Sequence, residues 1–283
     1  MGYAEIMTLS ARNRCFGTGI AICALSLIII VIASFFVLPV YNQASGEGTR
    51  RSTGIFLHFV REKLAPAPYV PFATMLGAVI YSLIGIIMIL HFFEKTQSPE
   101  ILFIGLFVIS FAFEVLRIIV PLKLILDLSS IYLSASSRIL IFSRYFGLFS
   151  LFAASICTAG LEVQRSRNII LITAAAALVF AIGIPVDAFS WDTTLNMFSD
   201  YDSIFILVQA GIIGITIASF FISAYTRGSK EYVYIGFGTF LAFMGRNILL
   251  GSDTWASLFP GLLFLILGTW FICVKLHQIY LWL

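Results

Sequence analysis

A succession of long apolar runs constrains this chain more than any other feature. Eight are readable, at about Gly17–Val40, Val70–Phe93, Ile101–Val120, Ile139–Gly160, Asn168–Val186, Ser203–Thr226, Tyr232–Leu250 and Trp255–Leu276. A helix of roughly 20 residues, rising about 1.5 Å per residue, crosses the hydrocarbon layer of a bilayer. Spans of a β-barrel are shorter and alternate in polarity, which these do not. Backbone in lipid must satisfy its own hydrogen bonds. The expected fold is therefore an all-α, polytopic membrane helix bundle of about eight transmembrane helices.

Composition agrees. Of the 283 residues 60% are hydrophobic and 11% charged, too few charges to cover a soluble surface. The basic residues sit singly or in pairs between apolar runs, so no stripe for nucleic acid exists and membrane lipids are the expected partners. Arg12 and Arg14 precede the first run, whose apolar core is longer than that of a signal peptide, so it reads as an uncleaved helix. The last two loops on one side, "DAFSWDTTLNMFSDYD" and "GSDT", contain no Lys or Arg. By the positive-inside rule, that side faces outward and both termini lie in the cytoplasm. The expected location is the bacterial cytoplasmic membrane.

The first outward loop has its own pattern. Ile55, Phe56, Phe59, Val60 and Leu64 recur near helical spacing, with Arg51, His58, Arg61, Glu62 and Lys63 mainly between them. Over residues 50–65 this predicts an amphipathic helix, lying on the outer membrane surface or packed on the bundle as a lid.

The chain also repeats itself. "TQSPEILFIGLFVISFAFEVLRIIV" (Thr96–Val120) resembles "TRGSKEYVYIGFGTFLAFMGRNILL" (Thr226–Leu250). Glu100 aligns with Glu231, and Arg117 with Arg246 when one position of slack is allowed. The following helices end in Cys157 and Cys273 after similar Gly-rich and Phe-rich stretches. Arg12–Arg14 and Arg165–Arg167 each precede a helix ending in Pro-Val. These correspondences predict two parallel four-helix repeats, 1–160 and 161–283, related by an axis along the membrane normal.

Ionisable residues within a span are expensive and point to a site. Counting along the helices places Glu114, Arg117, Arg144, Gln209, Arg246 and Asn247 at one level, in the outer third of the bundle. Together they hold three positive charges against one negative, a balance that suits an anionic ligand or lipid headgroup. A bland reading stands beside it: Arg117 and Arg246 snorkel to the surface, while Glu114 pairs with Arg117 along its helix or ties to Arg144. Glu114 has no counterpart in the second half, where Met244 and Gly245 stand. The inner half is apolar, relieved by Ser82, Ser110, Thr216 and Thr239. No span is clearly broken by its sequence; Pro260–Gly261 comes nearest.

Chemistry for catalysis is thin. Metalloprotease, phosphate-loop and nucleophile-elbow motifs are absent, and His58, His91 and His277 are dispersed. The four cysteines, Cys15, Cys23, Cys157 and Cys273, read as small packing residues. Asp187, Asp192, Asp200 and Asp202 read as a solvated acidic loop. The sequence thus points to a non-enzymatic protein without cofactor or metal. It would bind an anionic small molecule or headgroup from the outer side, as a sensor or as a subunit of a membrane assembly. Since the chain ends soon after its last helix, signal output would need a partner membrane or cytoplasmic protein. The rival expectation is a transporter of a small anionic solute.

Overall fold

The computed structural model describes residues 9–45, 67, 69–94, 96, 98–159, 166–184, 191–196 and 202–281. Nearly all of these are helical. In chain order the helices are α1 (Leu9–Ser45), α2 (Val70–Phe93), α3 (Pro99–Ser110), α4 (Ile119–Leu126), α5 (Ser130–Thr158), α6 (Ser166–Gly183), α7 (Asp202–Arg227), α8 (Glu231–Leu250) and α9 (Trp255–Leu281). A 3-10 helix over Phe111–Ile118 joins α3 to α4. Among the described residues there is no β-strand. Among the described residues, seven stretches are long and apolar enough to cross a membrane; one of them, Pro99–Lys123, runs from α3 through the 3-10 helix into α4. The protein is an all-α, multi-pass membrane helix bundle. The fifth apolar run is described as α6, an apolar helix shorter than the other seven. The amphipathic segment expected over 50–65 lies outside the described residues.

The third span is the hub. It is 72% buried over its most apolar window, against 22% for α1 and for α7. Leu25, Ile28, Phe35 and Phe36 on α1, and Ile206, Leu207 and Ile222 on α7, are all more than half exposed. Apolar surface of this extent needs hydrocarbon around it. Arg12 is not a surface charge. It is buried, and its guanidinium donates to the carbonyls of Phe93, Glu94 and Thr96. These carbonyls lie at and just beyond the C-terminus of α2, where a cation is favoured.

Two helix pairs carry the candidate site. In the second half, α8 and α9 cross backbone to backbone. A Cβ at Gly245 would lie 2.3 Å from the Leu265 nitrogen, and one at Gly268 would lie 2.4 Å from the Ala242 nitrogen. Small residues at such positions let membrane helices approach. In the first half, α3 and α5 meet through side chains. A Cβ at Gly147 would meet the Ser110 hydroxyl at 2.4 Å, and Ser143 Oγ donates to the Ser110 carbonyl at 2.7 Å.

That last bond marks a departure from the sequence reading. The broken span is the third, not the last: Pro260 sits inside a continuous α9, whereas the third span becomes a 3-10 helix from Phe111 to Ile118. Eight residues is long for this geometry. Two causes act at its ends. At the inner end, the Ser143 hydroxyl from α5 occupies the Ser110 carbonyl, which α geometry would reserve for the Glu114 N–H. At the outer end, Pro121 has no N–H to offer the Arg117 carbonyl, and its ring crowds that carbonyl in an α-helix. The span also runs past Val120, with α4 reaching Leu126 before Asp127 turns the chain at φ 47°.

Candidate functional site

Glu114 and Arg117 lie on the 3-10 stretch. With three residues per turn, positions three apart stand one above the other. The pair therefore shares one face, both side chains almost fully buried, with Arg117 Nη1 3.5 Å from Glu114 Oε2. Arg144, at mid-length of α5, meets the same carboxylate as a fork. Its Nε donates to Oε1 and its Nη2 to Oε2, each at 2.7 Å. Two parallel charge-assisted bonds fix orientation as well as distance.

A short loop closes over this group. The Asp192 carboxylate accepts from the Thr194 N–H at 2.9 Å, the Thr194 hydroxyl at 2.7 Å and the Asn196 N–H at 2.8 Å. Such local acceptance is the usual work of Asp in a turn. It leaves the Thr194 carbonyl to accept from Arg117 Nη2, and Asn196 Oδ1 to accept from Arg144 Nη2 at 2.8 Å. Leu195, in the left-handed region at φ 61°, is buried in an apolar cluster with Ile118 and Val120.

Arg246 brings in the second half. It is buried on α8, beside the close glycine crossing. Its Nη1 donates to Gln209 Oε1 on α7 and to Asn247 Oδ1, both at 3.1 Å, and its Nη2 to the Arg144 carbonyl at 3.2 Å. The chain matches no protein-family model, no curated protein and no solved structure. The site must therefore be read from its own chemistry.

All six residues singled out in the sequence fall in one connected network. Arg117 and Arg246 do not snorkel: their guanidinium groups are buried and bonded within the protein. Glu114 does both things the bland reading allowed, touching Arg117 and bridging to Arg144. The sequence reading passed over Thr194 and Asn196, and it treated Asp192 as merely solvated. The spacing Asp192, Thr194, Asn196 is the signal that marks an ordered turn there.

The balance of charge stays positive. Three guanidinium groups face the Glu114 carboxylate, with Asp192 within Coulombic reach of Arg117 and Arg144. Among the described residues, Arg117 Nε is buried without an acceptor, and Nη1 has only the long 3.5 Å contact to Glu114 Oε2. Buried polar groups are nearly always satisfied, so unmet donors on a buried cation signal a place for an acceptor. Among the described residues, no group of His, Cys, Asp and Glu could hold a metal ion.

Proposed function

We propose that this membrane protein binds an anionic group, a carboxylate or phosphate, at the Arg117–Arg144–Arg246 cluster from the extracytoplasmic side, and that it is not an enzyme. One observation carries the reading: a buried cluster with an excess of positive charge, in which, among the described residues, Arg117 Nε has no acceptor and Nη1 reaches only Glu114 Oε2, at 3.5 Å. An anion entering there would supply both the missing charge and the missing acceptors. The protein would then act as a sensor, or as a subunit whose partner responds to the bound state. We also propose that the bundle holds eight spans in two parallel halves. In support, α8 pairs with α9 as α3 pairs with α5, and Arg246 on α8 and its counterpart Arg117, on the 3-10 continuation of α3, both reach the cluster.

The test is thermal unfolding of the full chain in lipid nanodiscs, with sodium phosphate and then phosphatidylglycerol as probes. Wild type rises in midpoint with a saturable dose, and Arg117→Gln abolishes that rise. Arg117→Gln removes one buried cation and keeps an amide that can donate to the Thr194 carbonyl, so the midpoint without anion should change little. A lowered midpoint together with an intact anion response would mean that the cluster is only a tie between helices.

A second reading, transport of a small anionic solute, is favoured by the 3-10 interruption beside the charges, since transporters place sites at discontinuous helices. Uptake of labelled phosphate or acetate into proteoliposomes, lost in Arg117→Gln, would select it; binding without uptake would remove it.

A further inference from the structure

At the end of α8 remote from Arg246, about 22 Å away along the helix, a second polar site lies where three helices meet. Gly228, left-handed at φ 64°, turns the chain from α7 into α8, and the C-terminal part of α9 runs alongside. Between them is a half-open cavity of about 670 Å³, lined by Arg227, Ser229, Glu231, Tyr232, Lys275, Gln278 and Ile279. It shares no residue with the arginine cluster.

The cations in this cavity are unequally matched. Lys275 Nζ lies 3.0 Å from Glu231 Oε2, donates to Gln278 Oε1 at 2.9 Å, and rests 5.0 Å from the centre of the Tyr234 ring. Arg227 lies over the Tyr232 ring, 5.5 Å from its centre, and its Nη1 donates to the Tyr232 hydroxyl at 3.0 Å. Among the described residues no carboxylate pairs with Arg227. The cavity therefore carries a net positive charge, and its free cation is a planar fork already held in orientation by an aromatic ring. Such a fork matches phosphate geometry, and pre-orientation lowers the entropy lost on binding.

The surroundings indicate where the phosphate comes from. The face of α7 leading to the cavity is apolar and outward, with Ile215, Phe221 and Ile222 at least half exposed and Tyr225 91% exposed. Tyr234 is also exposed. Tyrosines of this kind sit at headgroup level, with hydrocarbon on one side and water on the other.

We propose that the cavity is a binding site for the phosphate of an anionic phospholipid in the leaflet at that end of the bundle. The phosphate would sit between Arg227 and Lys275, with acyl chains along the α7 face.

The experiment titrates the purified full chain in detergent with dioleoylphosphatidylglycerol, dioleoylphosphatidylcholine and sodium phosphate, each followed by thermal midpoint and by native mass spectrometry. The expected result is saturable retention of phosphatidylglycerol over phosphatidylcholine. Arg227→Gln should weaken it at least about tenfold and Tyr232→Phe by a smaller factor, both also in the Arg117→Gln background, where the arginine cluster no longer takes the lipid. Arg227 is exposed, so its variant should fold, and Tyr232→Phe provides an independent reading of the same site. A saturable response to sodium phosphate, lost in Arg227→Gln, would support the phosphate site and assign it to a soluble ligand. Retention that is equal in wild type, Arg227→Gln and Lys275→Gln would overturn the proposal.

Discussion

The α3–α5 pair and the α8–α9 pair start from similar sequences and deliver similar arginines, yet hold them by different means. In the first pair, an acid on the same helix serves the cation, and a 3-10 stretch aligns the two. In the second, no acid pairs with the cation among the described residues; Arg246 rests on amide oxygens and on a carbonyl of the other pair, with Glu114 within Coulombic reach. The first pair is joined by hydroxyls and a salt bridge, the second by glycines that bring two backbones together. A charged contact can be rearranged by a ligand, whereas a backbone contact resists it. The pairs thus divide into a polar, adaptable one and a rigid one.

Substitutions can break this contrast. The largest effect is expected for Glu114→Ala. It strips the shared carboxylate from Arg144 and Arg117 and leaves buried cations unpaired, a loss of about 3–5 kcal/mol. Chemical unfolding in mixed micelles would measure it; a loss below about 1 kcal/mol would show that the cluster is already solvated. Next comes Gly245→Ala, whose new methyl would meet the Leu265 backbone. Overpacking of this kind costs about 1–3 kcal/mol. Gly147→Ala is its partner test. There the obstacle is the Ser110 side chain and not backbone, so the midpoint should fall less. Equal falls would erase the distinction between a rigid pair and an adaptable one. A smaller effect, about 1 kcal/mol, is expected for Arg246→Gln, which keeps a donor for Gln209 and removes one buried charge. The smallest concerns the span rather than the site. Pro121→Ala restores the missing N–H near the outer end of the 3-10 stretch, and hydrogen exchange at Ile118–Leu122 should slow several-fold.

Fold class was legible because lipid imposes it: a run such as Val70–Phe93 has few other ways to satisfy its backbone. The polar residues were legible for the same reason, since Glu114 and Arg144 stand out in an apolar run. Their connection to each other followed from depth alone, by counting residues from helix ends. Three things were not legible. The 3-10 geometry depends on a hydroxyl from Ser143, thirty-three residues away from the carbonyl it occupies. The participation of Thr194 and Asn196 depends on where a loop folds back, which no periodicity encodes. The burial of Arg12 was hidden because a charge at a helix start looks the same whether it faces water or caps a neighbour's last carbonyls.

The 3-10 stretch also changes the reach of the third span. Eight residues at about 2.0 Å each extend roughly 4 Å further than in α geometry. The span therefore stands taller than its residue count implies. Lys123 is carried up to the level of Trp191, with its ammonium 6.0 Å from the centre of the indole ring. A membrane whose thickness changes would act first on this stretch, where height can be surrendered by rewinding a turn without unfolding a helix.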